Sequence, residues 1–289
     1  MKSTICFFVS DLHGYMDRYQ KLFTLIQNES PKAVFLGGDI LPSGLYTRTF
    51  SDQNGENFIE HFLQKKFAIL KEKLRDTYPR IFLILGNDDS RSEEAKLIEA
   101  EKLGIWEYMH NAKREFQSHP VYGYSFIPPS PFLLKDWERY DVSRFVDPGS
   151  VSPEEGIRSV RVSADEAKYS TISKDLNLLV KDADLSQAIF LFHAPPYETK
   201  LDRAALDGKK VAHVPLDLHV GSIAIQRFIK EHQPLLTLHG HIHEAARLTG
   251  AWKDRIGRTH AFSAAHDGPE LALVRFNLED LDQATRQLL

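Results

Sequence analysis

The sequence predicts an α/β fold with a largely parallel central sheet. Three observations predict it. Five short apolar runs each stop abruptly at an Asp, Asn or His, and segments with helical apolar spacing lie between them. The composition, 42% hydrophobic and 26% charged over 289 residues, is that of a globular chain able to bury a sizeable core. Alternating strand and helix patterns are those that place parallel strands side by side.

The first apolar run, 5–9, leads into Ser10, Asp11, Leu12 and His13. A helical pattern over 15–28 follows, with Tyr19, Leu22, Phe23 and Ile26 on one face. The second run, 33–36, leads into Gly37, Gly38 and Asp39. After a second helical pattern at 58–78, the third run, 81–85, leads into Gly86, Asn87, Asp88 and Asp89. Further helical patterns cover 92–103, 171–181 and 223–231. The fourth run, 188–192, ends at His193, and the fifth, 235–238, ends at His239, Gly240, His241, Ile242 and His243. Unbroken apolar runs of this length read as strands covered on both faces.

The C-terminal third changes character. Segments 259–263 and 271–276 read as consecutive strands joined by a turn at Asp267, Gly268 and Pro269. With 121–127, stopped by Pro128 and Pro129, they predict a second, more antiparallel sheet. Loops near 40–57, 128–160 and 194–220, rich in Pro, Gly, Ser and charge, read as insertions over one rim of a single domain spanning 1–289.

Charge and cysteine content narrow the function classes. Lys and Arg number 36 against 40 Asp and Glu, a net charge of −4, so no basic excess calls for nucleic acid or a membrane surface. The single cysteine, Cys6, rules out an intrachain disulfide and fits a reducing compartment. The N-terminal apolar run is too short for a secretory signal, and no stretch approaches the ~20 residues that span a bilayer. A cytoplasmic location is expected.

In open α/β sheets, ligands gather beyond the carboxyl ends of the strands. Here those ends present Asp11, His13, Asp39, Asn87, His193, His241 and His243. Carboxylate, imidazole and amide donors without thiolate suit Mn, Fe, Zn, Co or Ni. Seven donors are too many for one tetrahedral ion. They match two divalent ions sharing a carboxylate, the arrangement used for in-line displacement at phosphorus.

The ordered blocks Asp-x-His, Gly-Asp, Gly-Asn-x-Asp, His and Gly-His-x-His, spread over about 5–243, resemble the calcineurin-like metallophosphoesterase superfamily. The resemblance implies a four-layer α/β/β/α sandwich with two mixed sheets. It also implies that Asp11, His13 and His243 hold one metal, that Asn87, His193 and His241 hold the other, and that Asp39 bridges them. A metal-bound hydroxide would be the nucleophile. Where that family carries Gly-Asn-His, this chain has Gly86-Asn87-Asp88, which makes Asp88 the candidate catalytic residue.

A carboxylate near a phosphate anion is repelled unless protonated, so Asp88 is poorly suited to protonating a leaving group. The expectation is therefore hydrolysis of small phosphodiesters or activated esters, nucleotide-like ones included, and Asp88→His should raise activity on alkyl monoesters. His219 and His239 are the candidate substrate-binding residues. The competing readings are a phosphomonoesterase or protein phosphatase, and a non-catalytic scaffold of the same fold. The sequence leaves oligomeric state open.

Overall fold

A computed structural model of the chain describes residues 4–43 and 57–289. The loop expected near 40–57 therefore lies mostly outside the described residues. In chain order the strands are β1 (Ile5–Val9), β2 (Ala33–Gly37), β3 (Arg80–Ile84), β4 (Glu107–Tyr108), β5 (Ala112–Phe116), β6 (His119–Tyr124), β7 (Ile189–Phe192), β8 (Lys210–Val211), β9 (Val214–Pro215), β10 (Leu236–His239), β11 (Lys253–Ile256), β12 (Thr259–Ser263), β13 (Ala272–Asn277) and β14 (Asp280–Leu288). The helices are α1 (Met16–Glu29), α2 (Lys65–Leu74), α3 (Glu94–Glu101), α4 (Ala164–Tyr169), α5 (Ile172–Val180), α6 (Ile223–His232) and α7 (Ala245–Thr249).

The strands form two six-stranded mixed sheets, in the orders β14-β13-β1-β2-β3-β4 and β11-β12-β10-β7-β6-β5. The first sheet is parallel from β1 to β4, with β13 antiparallel to β1. The second is parallel from β12 through β10 and β7 to β6, with antiparallel edges at β11 and β5.

Side-chain alternation explains why the strand sequences are apolar throughout. Cys6, Phe8, Phe35, Phe82 and Ile84 of one sheet meet Ile189, Leu191, Leu236 and Leu238 of the other in an inter-sheet layer. Phe7, Val9, Val34, Leu36, Ile81 and Leu83 point the opposite way, into the core that holds Tyr19, Leu22, Phe23 and Ile26 of α1. Phe190 and Phe192 do the same opposite Ile225 and Phe228 of α6. A strand with a period of two and both faces covered has no polar position to spare.

The division into sheets corrects one expectation. The segment 259–263 and the segment 271–276 are not a hairpin: β12 lies parallel to β10 in the second sheet, and β13 lies antiparallel to β1 in the first. The turn signal at Asp267–Pro269 marks a crossing between sheets. The run at 235–238 likewise belongs to the second sheet, so the donor-bearing strand ends come from both.

The expected helices appear within one or two residues, except that 58–78 divides into a π-helical turn at Ile59–Gln64, α2, and a 3₁₀ turn at Arg75–Thr77. No helix among the described residues is long and apolar enough to cross a membrane. Cys6 is free and buried, and burial pushes its thiol pKa well up.

Candidate metal centre

The carboxyl ends of β1, β2, β3, β7 and β10 converge at one rim. Three backbone bonds carry the chain across the strand ends there: Asp11 N–H to the Gly38 carbonyl at 3.0 Å, His13 N–H to the Asp39 carbonyl at 2.7 Å, and Gly240 N–H to the His193 carbonyl at 2.9 Å. Asp11, His13, Asp39 and His241 take left-handed φ angles of 56°, 48°, 50° and 74°. Four non-glycine residues in that region at one rim mark backbone held in place by its surroundings.

The seven expected donor residues lie at this rim, four of them in one tight cluster. One donor atom from each of Asp11, His13, Asp39 and His243 lies within 4.8 Å of the others. His243 Nε2 is 3.2 Å from Asp11 Oδ1 and 3.3 Å from His13 Nε2. On the other side of Asp39, His193 Nε2 is 3.0 Å from Asn87 Oδ1 and 3.4 Å from Asp39 Oδ2. That same Oδ2 is 4.0 Å from His13 Nε2, so it stands between the two groups. The His241 ring lies 5.3 Å from that of His193.

Outer contacts aim these side chains. His193 Nδ1 donates to the Gly37 carbonyl at 2.8 Å, leaving Nε2 to face Asp39. Gly38, at φ +95°, makes room for this, because a Cβ there would stand 2.6 Å from His193 Nδ1. Asp11 accepts from the Ser10 hydroxyl at 2.5 Å, and its carbonyl accepts from the buried Arg18 guanidinium at 2.6 Å.

The electrostatics fit a cation site. Burial disfavours ionisation of Asp11 and Asp39. Contact with His243 nevertheless holds Asp11 well below the ordinary carboxylate range, and His193 lowers Asp39 to about 2. Burial lowers His13 and His193, but Asp88 and Asp39 raise His13 to about 9, and Asp39 and Asp11 raise His193 to about 9. Burial, and then the His193 charge, lowers His241 well below the usual imidazole value. Divalent ions would displace the imidazole protons that balance these buried carboxylates. The donor chemistry and the placing of Asp39 between two groups fit a pair of such ions.

The family model for calcineurin-like phosphoesterases matches residues 6–245. The chain belongs to the calcineurin-like phosphoesterase family. Membership implies phosphoester hydrolysis, and the family typically uses a dinuclear metal site. Solved structures similar to this calcineurin-like phosphoesterase include the Thermus thermophilus protein TT1561, at 18% identity and a TM-score of 0.56 over 99% of both chains. A dimetal phosphatase from Danio rerio matches at 12% identity and a TM-score of 0.51 over 96% of both. At these identities the likeness is one of fold. No curated protein matches the sequence significantly.

The sequence offers three further candidate residues in the phosphoesterase: Asp88, His219 and His239. Asp88 lies in the cleft, where one carboxylate oxygen is 3.3 Å from His13 Nδ1 and the other accepts from Ser43 Oγ at 2.7 Å. His219 also lines the cleft, its Nδ1 2.8 Å from Asp202. His239 does not. It is fully buried inside β10, stacked on Phe192, with Nδ1 2.9 Å from the Ala194 carbonyl and Nε2 2.8 Å from Thr237 Oγ1. Both ring nitrogens are occupied by the core, so the expected substrate contact finds no support in its position.

Other residues that shape the site were not singled out for it. Arg18 braces Asp11. Asp89 accepts from the backbone N–H groups of Ile40, Leu41 and Gly86 and so ties the loops after β2 and β3 together. Asp141 joins the 128–160 loop to the first turn of α6, accepting from Ser222 Oγ at 2.6 Å and Ile223 N–H at 2.7 Å. Acidic residues in the 128–160 loop carried no spacing that set Asp141 apart.

Proposed function

We propose that this protein is a dinuclear metal-dependent phosphodiesterase. Asp11, His13 and His243 hold one divalent ion, Asn87, His193 and His241 hold the second, and Asp39 is shared. The observation that carries this reading is the position of Asp39 Oδ2, between His13 Nε2 and His193 Nε2. When bound, two such ions supply an activated water and neutralise the charge that builds at phosphorus.

The chain's own residues set the rest. Gly37 fixes which nitrogen His193 presents, and Asp88 does the same for His13. Because Asp88 is engaged with His13 and Ser43, it is badly placed to protonate a leaving group. That favours diesters and esters whose leaving group departs as a stable anion, over alkyl monoesters.

Metal analysis after Mn loading, with turnover of bis-p-nitrophenyl phosphate against p-nitrophenyl phosphate, tests the reading. About two ions per chain and faster diester turnover are expected. Faster monoester turnover supports a phosphomonoesterase or protein phosphatase instead. Failure to retain metal under replete conditions supports a scaffold.

A further inference from the structure

The donor rim opens into a cleft of about 750 Å³ whose far walls are apolar. Two of the expected insertions build them. The 128–150 segment contributes Phe132, Leu134 and Phe145, and the 204–223 segment contributes Leu206, Val211 and Leu216. The two segments meet: a Cβ on Gly149 would stand 3.1 Å from Val211 Cγ2. At the mouth Phe132 and Phe145 are 55% and 70% exposed, large apolar side chains left in water beside a ligand-sized hollow.

Charge points the same way. Among the described residues lining the cleft none is Lys or Arg, whereas Asp147, Asp217 and Glu244 bring carboxylates to it. Arg203, in the 194–220 loop, is not among the residues lining the cleft and pairs with Asp207 at 2.6 Å. A substrate with several negative charges would meet carboxylates beyond the metal centre and, among the described residues lining the cleft, no lysine or arginine to offset them. A phosphodiester brings one negative charge, which the ions themselves neutralise.

We infer that the substrate is a monoanionic phosphodiester with one bulky apolar arm, alkyl or aryl, which lies between the 128–150 and 204–223 segments. This rests on the phosphodiesterase reading and adds the identity of the arm. Burying that arm against Phe132, Phe145 and Val211 withdraws apolar surface from water on both partners, so it tightens binding more than it speeds chemistry.

The test keeps the leaving group constant. Mixed p-nitrophenyl diesters carrying a methyl, octyl, 2-naphthylmethyl or thymidine 5′ arm are compared with the Mn-loaded protein, below their aggregation concentrations. The octyl or naphthylmethyl ester should exceed the methyl ester by about tenfold or more in kcat/KM, carried by KM. Which of the two leads separates a chain-shaped arm from a ring-shaped one. Phe145→Ser with Val211→Ser should bring that ratio toward one.

Binding to the metal-free protein gives a second readout. Octyl methyl phosphate should bind about tenfold more tightly than dimethyl phosphate, with a negative heat-capacity change. Equal kcat/KM for methyl and octyl esters, a thymidine arm that outruns both apolar arms, or a ratio untouched by the double substitution overturns the inference. Turnover of no diester at all overturns the phosphodiesterase reading instead, and the metal-free binding experiment still decides the apolar arm.

Discussion

Asp88 braces His13: its Oδ2 stands 3.3 Å from His13 Nδ1, while Ser43 Oγ holds its other oxygen at 2.7 Å. A carboxylate behind an imidazole fixes the ring and makes its outward nitrogen a better donor. Asp88→Ala should therefore weaken the ion held by His13 about tenfold, read by competition titration with a metal-sensitive dye. Unchanged affinity would show that the contact positions nothing.

Asp39 should be the least replaceable of the seven donors, since its Oδ2 faces both His13 and His193. In Asp39→Ala we expect turnover to fall to background and both ions to be lost, read by elemental analysis of the purified protein. A variant that keeps both ions and full turnover contradicts the sharing of this carboxylate.

The metal-free protein should respond to alkali. His13 and His193 keep their protons to about pH 9 when folded, against about 6.5 for a free imidazole. A raised folded pKa adds stability that is complete below about 6.5 and is lost as pH rises through about 9. The melting midpoint of metal-free protein should fall across that interval. Metal binding near neutral pH should release about two protons per chain from His13 and His193, with His243, also raised by Asp11, adding to that number, read by calorimetry in buffers of different ionisation heat. A midpoint that climbs toward pH 9, or binding without proton release, would refute the assignment.

Lys135 and Glu138 form a salt bridge with both side chains fully buried, and Glu138 accepts from the backbone N–H of Ser130 at 2.8 Å, beside the cleft. Burial raises Glu138 to about 7 despite Lys135. Lys135→Met leaves a buried carboxylate without its counter-ion and should cost about 3–5 kcal/mol, measured by denaturant unfolding. Adding Glu138→Leu should recover part of that loss. A neutral single substitution would show that the pair is not what secures the loop.

The parts of the fold legible in the sequence are those whose cause is local. Runs such as Phe7-Phe8-Val9 and Phe190-Leu191-Phe192 announce strands covered on both faces, and each ends at a donor. Which sheet a strand joins is a matter of distant partners, so nothing near Leu236 or Thr259 separates them from Ile5. β14 escaped notice because Asp280–Leu288 is an edge strand with mostly exposed side chains. In the site, motif spacing found the residues that converge. It did not exclude His239, whose neighbour Gly240 imitates the pattern while its own ring points into the core. The contributions of Arg18 and Asp89 run through backbone carbonyls and amides of other loops, which no spacing reveals.

The left-handed backbone at Asp11, His13, Asp39 and His241 has a practical consequence. Each of these corners costs about 1 kcal/mol or more that glycine would not pay. A mutant library ranked only by survival after heating would drift toward glycine at those positions, His241 foremost. It would return a sturdier protein emptied of its chemistry, so engineering for robustness here has to score catalysis in the same round.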